Sequence, residues 1–403
     1  MKKKILFMGG NILQASAIRK AKELGYQTIC VDMVLNCPGA GCADEFFNIS
    51  TTDIPAVLAL AREKQIDGVL SYASDVSAYT AAVVCEDLGL PTNPAESVKI
   101  LTNKDLFRAF LRDNGYITPE FQVFEDKAEA KKYFASLNLP QMIKPVDSAG
   151  SKGVTKLDDL ERFEEAFDMA KAYSRSGKVI IEKFIQKTGY QIDGEGFIKE
   201  GTIEFFAPMD QHHNHEKNPN VPIGSSYPSV WSREHQDKAR KILQSIFNRL
   251  HMKFGAFNSE FIVDGAGQVY VIEIGPRNGG NYIPNTLQYA CGVDMMSASI
   301  QACVAEPYAD FLRIKYMRPA TYYMIHSLHS GHLERVSYSA GLKSSIKQQE
   351  MLAKPGDFVH AFRGGADGIG LMVIGFDEIE TMKEYMDHMW EHVIVHTREQ
   401  RGG

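Results

Sequence analysis

Residues 260 to 284 read EFIVDGAGQVYVIEIGPRNGGNYIP, an apolar, strand-like segment that carries a glutamate at each end and then breaks into Gly-Pro-Arg-Asn-Gly-Gly-Asn. The turn Asp264-Gly265-Ala266-Gly267 lies between two β-rich runs, FNSEFIV and QVYVIEI, the short-range signature of a hairpin. An even-numbered loop centred between Ala266 and Gly267 sets Glu260 directly opposite Glu273, side chains on one face. Like charges so placed destabilise a sheet. A divalent cation reverses the sign, because a hard ion such as Mg²⁺ is held by one or two carboxylates plus substrate phosphates and water. The pair reads as a metal site; two residues taken alone also fit a solvated acidic strand face.

The rest of the chain is ordinary globular material, 403 residues of which 44% are hydrophobic, enough for two or three domains. Basic residues number 44 against 50 acidic, a net charge of −6 that argues against broad nucleic-acid contact. No apolar run approaches the roughly eighteen residues of a membrane span. The start, MKKKILFMGG, is too short in apolar residues for a secretory signal, so a cytoplasmic location is expected. Cys30, Cys37, Cys42, Cys85, Cys291 and Cys303 lack a C-x-x-C pairing and read as reduced structural thiols.

The first hundred residues alternate as βαβ. KILFMGG, YQTICVDM and DGVLSYA read as strands; ILQASAIRKAKELG, IPAVLALAREKQ and VSAYTAAVVCEDLG read as helices, two of them closed by Gly25 and Gly89. This predicts a small parallel sheet covered by helices. GGNILQ followed by Asp32 hints at dinucleotide binding but lacks the full glycine fingerprint, so it carries little weight. A boundary falls near residues 92 to 104. Beyond it EDKAEAKKYFASLN and LDDLERFEEAFDMAKAYSR predict helices, and KVIIEKFI a strong strand. A sheet region is expected over about 190 to 305. The last hundred residues, ending in GIGLMVIGF and a helix over DEIETMKEYMDHMWEHVIV, read as a smaller α/β appendage. MDQHHNHEKNPNVPIGSSYPSVWS, residues 209 to 232, reads as a long polar loop, either facing substrate or lying plainly on the surface. Its His212, His213 and His215 suit a loop better than a zinc ligand set.

Two further stretches join the hairpin. In IKPVDSAGSKGV, Lys144 ends a strand and a Ser/Gly-rich loop follows, which lets backbone N–H groups and a lysine approach phosphate oxygens. In VIIEKFI an apolar strand runs into Glu182-Lys183, and a buried strand rarely ends in charge without a partner. In this order, with TNKDLFRAFLRDNGYITPEF before them and EFIVDG…VIEIGPRNGG after, the chain resembles the ATP-grasp superfamily, and among its members the carboxylate–amine ligases of the amino-acid ligase type and the carbamoyl-phosphate-synthase-like branch.

The resemblance implies an α/β protein with a half-Rossmann domain over 1–102, a two-lobed ATP-grasp domain over 103–305 whose lid spans about 117–184, and a C-terminal α/β part over 306–403. It implies ATP and Mg²⁺, or Mn²⁺, as cofactors. Lys104 and Lys144 match the lysines that contact the phosphates; the loop with Ser148, Gly150, Ser151 and Gly153 matches the lid. Glu182, Lys183 and Ile185 match the adenine hinge, Glu260 and Glu273 the magnesium ligands, and Arg277 the catalytic arginine. Two positions depart from the pattern. The ribose-binding acid is matched only by Gln191, after a two-residue insertion, and the usual asparagine of Glu-x-Asn-x-Arg is Gly275, for which Asn278 or Asn281 would have to compensate. The expected activity is ligation of a carboxylate to an amine through an acyl phosphate, Gly279-Gly280 bringing backbone N–H groups close to the reacting centre. Bicarbonate activation is the second reading, and a nucleotide sensor without catalysis the third. Small molecules are the expected partners, without nucleic acid or membrane, and a homodimer is compatible.

Overall fold

The computed structural model describes residues 2–214 and 218–398. His215 lies outside the described residues. The N-terminal part is a parallel four-stranded sheet in the order Glu45–Phe47, Gln27–Val31, Lys4–Met8, Gly68–Leu70. Helices Ile12–Glu23 and Ile54–Lys64 connect strands of this sheet and Asp75–Leu88 follows its last strand, all three where the periodicity predicts them. Asn11 caps the first helix and Gln14 returns the bond to the cap backbone. The glycine turn before it is spoken for: the Asp32 carboxylate accepts from Gly10 N–H and Val34 N–H, both at 2.8 Å. A side chain on Gly10 would meet Cys37 Sγ at 2.4 Å. Asp32 thus holds the turn together, and the dinucleotide hint has a structural explanation.

A second sheet, antiparallel and in the order Phe121–Phe124, Val179–Lys183, Gln141–Pro145, Thr155–Leu157, forms a lobe around Phe134, Ile143, Phe163, Phe167 and Ile181 within the span expected for a lid. Its helix is shorter than predicted, Phe163–Tyr173, because Leu157 finishes a strand and Asp159 turns the chain by accepting from Glu161 N–H and Arg162 N–H.

The central sheet has eight antiparallel strands in the order Val269–Gly275, Phe254–Val263, Gln191–Lys199, Thr202–Asn214, Asn218–Tyr227, Ala320–Ile325, Gly370–Gly375, Ile346–Met351. Two expectations change here. The polar stretch 209 to 232 is mostly not a loop: its described residues up to Tyr227 belong to two long strands inside the sheet. The C-terminal hundred residues are not an appendage, since three of their strands extend the same sheet and share one core with it. The predicted final helix also divides, into Ile379–Asp387, Met389–His392 and the strand Val393–Arg398, where a β-branched run takes over. Helix Arg233–Arg249 covers one face of the first strands by burying Leu243, Ile246 and Phe247 against Phe257, Phe261 and Val271. That leaves the other face for chemistry.

Candidate active site

The hairpin pairs Glu260 with Glu273, but by another route than an even-numbered loop. The loop is centred on Ala266, with Val263 opposite Val269, a register that would set Glu260 against Ile272. A bulge between Glu260 and Phe261 absorbs one residue, so Glu273 comes opposite Glu260 and both Ile272 and Glu273 line the cleft. On the other side of Glu260, Asp193 is its register partner on the strand Gln191–Lys199. Asp193, Glu260 and Glu273 therefore form a row across three adjacent strands. In the next row Glu195 pairs with Asn258 and Asn258 with Gly275.

Burial raises the Glu260 carboxyl to about 7, with the Glu273 and Asp193 charges adding to it. Burial likewise raises Asp193 to about 6 and Glu195 to about 8. A row of buried acids costs charge repulsion unless a cation enters. Among the described residues no three His, Cys, Asp or Glu side chains make a ready metal cage. Two facing carboxylates with open space suit Mg²⁺, which completes its shell with phosphate oxygens and water. The residues fit the ion that the resemblance implies.

Arg277 follows the hairpin and folds back, Nη2 at 2.5 Å from Asp75 Oδ2 of the N-terminal part. Its guanidinium is buried but feels Asp75, Glu273 and Glu195, and these charges drive its pKa above the ordinary value despite burial. Gly275 now has a reason: a Cβ there would stand 2.6 Å from Asp75 Oδ1 and 2.8 Å from Arg277 Cζ. The departure from Glu-x-Asn-x-Arg makes room for the Arg277–Asp75 pair. Asn278 does not compensate at the metal row, because it faces inward, its Oδ1 accepting from Ser299 at 2.8 Å. Asn281 sits at φ +51°, in the left-handed region. The N–H of Gly279 is likewise committed, donating to Glu195 at 2.8 Å, so it is not a free donor toward substrate.

A cleft of about 400 Å³ separates the central sheet from the lid, lined by Lys104, Lys144, Ser148, Gly150, Ser151, Glu182, Lys183, Ile185, Gln191, Glu260 and Glu273. Eleven of the thirteen residues singled out from sequence thus share one wall system. Gly153 is not on it: at φ +72° it lets the loop pass Tyr173 and Ala170 of the lid helix. Arg277 stands beside the cleft, at the domain junction. Lys104 donates to Ser148 O at 2.8 Å and lies 3.6 Å from Glu273, tying the Ser148–Gly153 loop to the carboxylate row. Ser151 donates to Asn220 O at 2.8 Å, which lays the loop across the cleft onto the strand Asn218–Tyr227. Gln191 donates to Glu260 at 2.9 Å.

Glu182 does more than its expected backbone role. Its carboxylate accepts from Lys144 at 2.7 Å and lies 2.9 Å from Arg108 Nε, all three side chains nearly or fully buried. Burial alone would raise its pKa, but the Arg108 and Lys144 charges outweigh that and hold it near about 2. The pair fixes Lys144 in the cleft wall. The nitrogens of Arg108 make no aligned hydrogen bond among the described residues, so the Nε contact is one of charge.

Sequence reasoning missed Arg108, Asp75, Asp193, Glu195 and Asn258. Three of them had a signal: in QIDGEGF and FNSEF the polar residues recur every second position, which puts them on one strand face with Glu260. Asp75 and Arg108 had none, since each acts across a domain or lobe boundary.

The ATP-grasp domain model matches residues 109–286. The chain is 27% identical over 284 residues to the formate-dependent phosphoribosylglycinamide formyltransferase of Methanocaldococcus jannaschii, covering 68% of this chain and 69% of that one. It is 27% identical over 273 residues to the uncharacterized protein y4rH of Sinorhizobium fredii, covering 65% of this chain but spanning only 55% of that relative's length. Its fold matches an L-amino acid ligase from Bacillus licheniformis with a TM-score of 0.80 at 20% identity, covering 99% of both chains. With the paired glutamates, the cleft lysines and the Ser/Gly-rich loop gathered on one cleft, residues 109–286 of the chain carry an ATP-grasp domain, the domain of ATP- and magnesium-dependent ligases.

Proposed function

We propose that the protein joins a small carboxylate to an amine through an acyl phosphate, with ATP converted to ADP. The observation that carries this reading is the row Asp193, Glu260, Glu273 with Arg277 held beside it by Asp75. A carboxylate is a poor electrophile until one oxygen becomes a phosphate leaving group. Lys104 and Lys144 are placed to hold the phosphates, and the Ser148–Gly153 loop to keep water from a reactive mixed anhydride. A divalent cation on Glu260 and Glu273 would supply neutralisation of the phosphoryl charge. Arg277 presents a permanently charged fork to the phosphoryl oxygens and to the oxyanion formed when the amine attacks. The relative from Methanocaldococcus jannaschii, named for formate and a glycinamide, is in keeping with a carboxylate and an amine as the two substrates.

The test is phosphate release from ATP over pairs of carboxylates and amines, with bicarbonate as a separate arm. The reading expects ADP and phosphate only when both a carboxylate and an amine are present; release with bicarbonate alone would move the protein to the carboxylase reading. Lys144→Ala should weaken ATP binding about tenfold, the scale of one charge-assisted phosphate contact. Glu182 keeps Arg108 as partner in that variant, so the lid lobe should stay folded. Calorimetric titration with unchanged ATP affinity would remove Lys144 from the phosphate site.

A further inference from the structure

A second cavity, about 540 Å³, lies behind the central sheet, beyond the metal row. Gln211 faces that row and donates to Glu260 at 3.2 Å, so its neighbour His212 points to the opposite face, where it lines the cavity. Opposite His212 stands Gly224, whose missing side chain leaves room for Met386 of the C-terminal helix Ile379–Asp387. The cavity meets the nucleotide cleft round the strand ends, where Lys187, Gln211 and His213 line both.

Its walls are chemically uniform. Tyr190, Tyr323 and Trp390 supply three aromatic rings, Met386 and Met389 two thioethers. His212 and His326 are pushed by burial below the ordinary imidazole pKa, His212 to about 3, so both are neutral at pH 7. His212 is further committed to Ser226 at 2.7 Å. Asp387 accepts from the Tyr190 hydroxyl at 2.5 Å. Among the described lining residues Lys187 is the one lysine or arginine, and it sits at the inner end with its pKa lowered by burial. The buried Tyr323 hydroxyl makes no hydrogen bond among the described residues. Trp390 is 59% exposed and touches the His388 ring alone among the described aromatic rings, at 5.3 Å between centroids, an uncommon place for a large apolar ring.

A volume in the range of small-molecule sites, aromatic walls, one unused hydroxyl and one inner cation define a ligand. We infer that this cavity binds a small aromatic carboxylate, its ring among Tyr190, Tyr323 and Trp390 and its carboxylate toward Lys187. The inference stands apart from the ligase reading because binding needs no turnover, although the cavity shares Lys187, Gln211 and His213 with the nucleotide cleft. An occupant would touch Gln211, and through it the metal ligand Glu260.

Calorimetry on the full-length protein saturated with ADP tests it, with phenylacetate, phenylpyruvate and indole-3-acetate as probes and phenylacetamide and benzylamine as comparators. At least one acid should bind saturably, and its neutral and cationic comparators about tenfold more weakly. Trp390→Ala, at an exposed position, should weaken the acid about tenfold while ADP affinity stays within about twofold. Lys187→Gln should remove the preference for phenylacetate over phenylacetamide. No saturation by any of the three acids up to ~10 mM, preference for benzylamine, or binding indifferent to Trp390→Ala and abolished by ADP would overturn the assignment.

Discussion

Glu273→Ala should reduce ATP-dependent ligation by about a thousandfold or more, while the unliganded protein melts at the same temperature or higher. The two halves of this expectation come from one geometry. Glu273 supplies one of two facing carboxylates, and losing it removes half of the protein's hold on the cation, a loss of several kcal/mol of transition-state stabilisation. In the absence of a cation the same carboxylate repels Glu260, whose raised pKa owes part of its shift to Glu273, and only the partly exposed Lys104 at 3.6 Å and the Arg277 charge, already paired with Asp75, offset this. A mutation that damaged packing would lower both activity and Tm. Near-normal turnover in Glu273→Ala would place the metal elsewhere; lost turnover with a collapsed Tm would mean that the residue is structural.

Arg277→Ala should lower kcat by roughly a hundred- to a thousandfold and change ATP affinity by less than about threefold. The guanidinium sits beside the carboxylate row and away from Glu182 to Ile185, the expected adenine hinge, so on this reading adenine seats without it. Arg277→Lys should recover little, because a point charge cannot replace a fork that is oriented by Asp75 and packed over Gly275. Since alanine leaves Asp75, Glu195 and Asp193 short of a cation, the lysine variant also controls for stability. Steady-state kinetics showing near-normal kcat in either variant would take the oxyanion role away from this loop.

The N-terminal βαβ alternation and the carboxylate hairpin were legible because local pattern and tertiary context agree there. Strand 218 to 227 was not, since NPNVPIGSSY has the prolines and small polar residues of a loop and becomes a strand only between two neighbours that hold its register. The hairpin register was right in outcome and wrong in cause: the turn chemistry at Asp264 sets an odd loop, and only the bulge at Glu260 restores the pairing. The lining of the cleft was readable wherever one motif carried neighbouring residues of it. It was opaque where function is shared across the fold, as between Asp75 and Arg277, 202 positions apart, or Arg108 and Glu182. Gly275 shows the limit most clearly, for its meaning lies in two side chains that a linear motif does not connect.

Activation of a carboxylate as an acyl phosphate leaves an isotopic mark on the phosphate released. It is tested most directly by incubating the protein with ATP, Mg²⁺, an amine mixture and a pool of small carboxylic acids labelled with ¹⁸O in the carboxylate, and reading the released phosphate by mass spectrometry. Passage through an acyl phosphate predicts ADP and phosphate that carries one ¹⁸O taken from the acid, lost in the Glu273→Ala and Arg277→Ala variants. Unlabelled phosphate, or AMP with pyrophosphate, would contradict it.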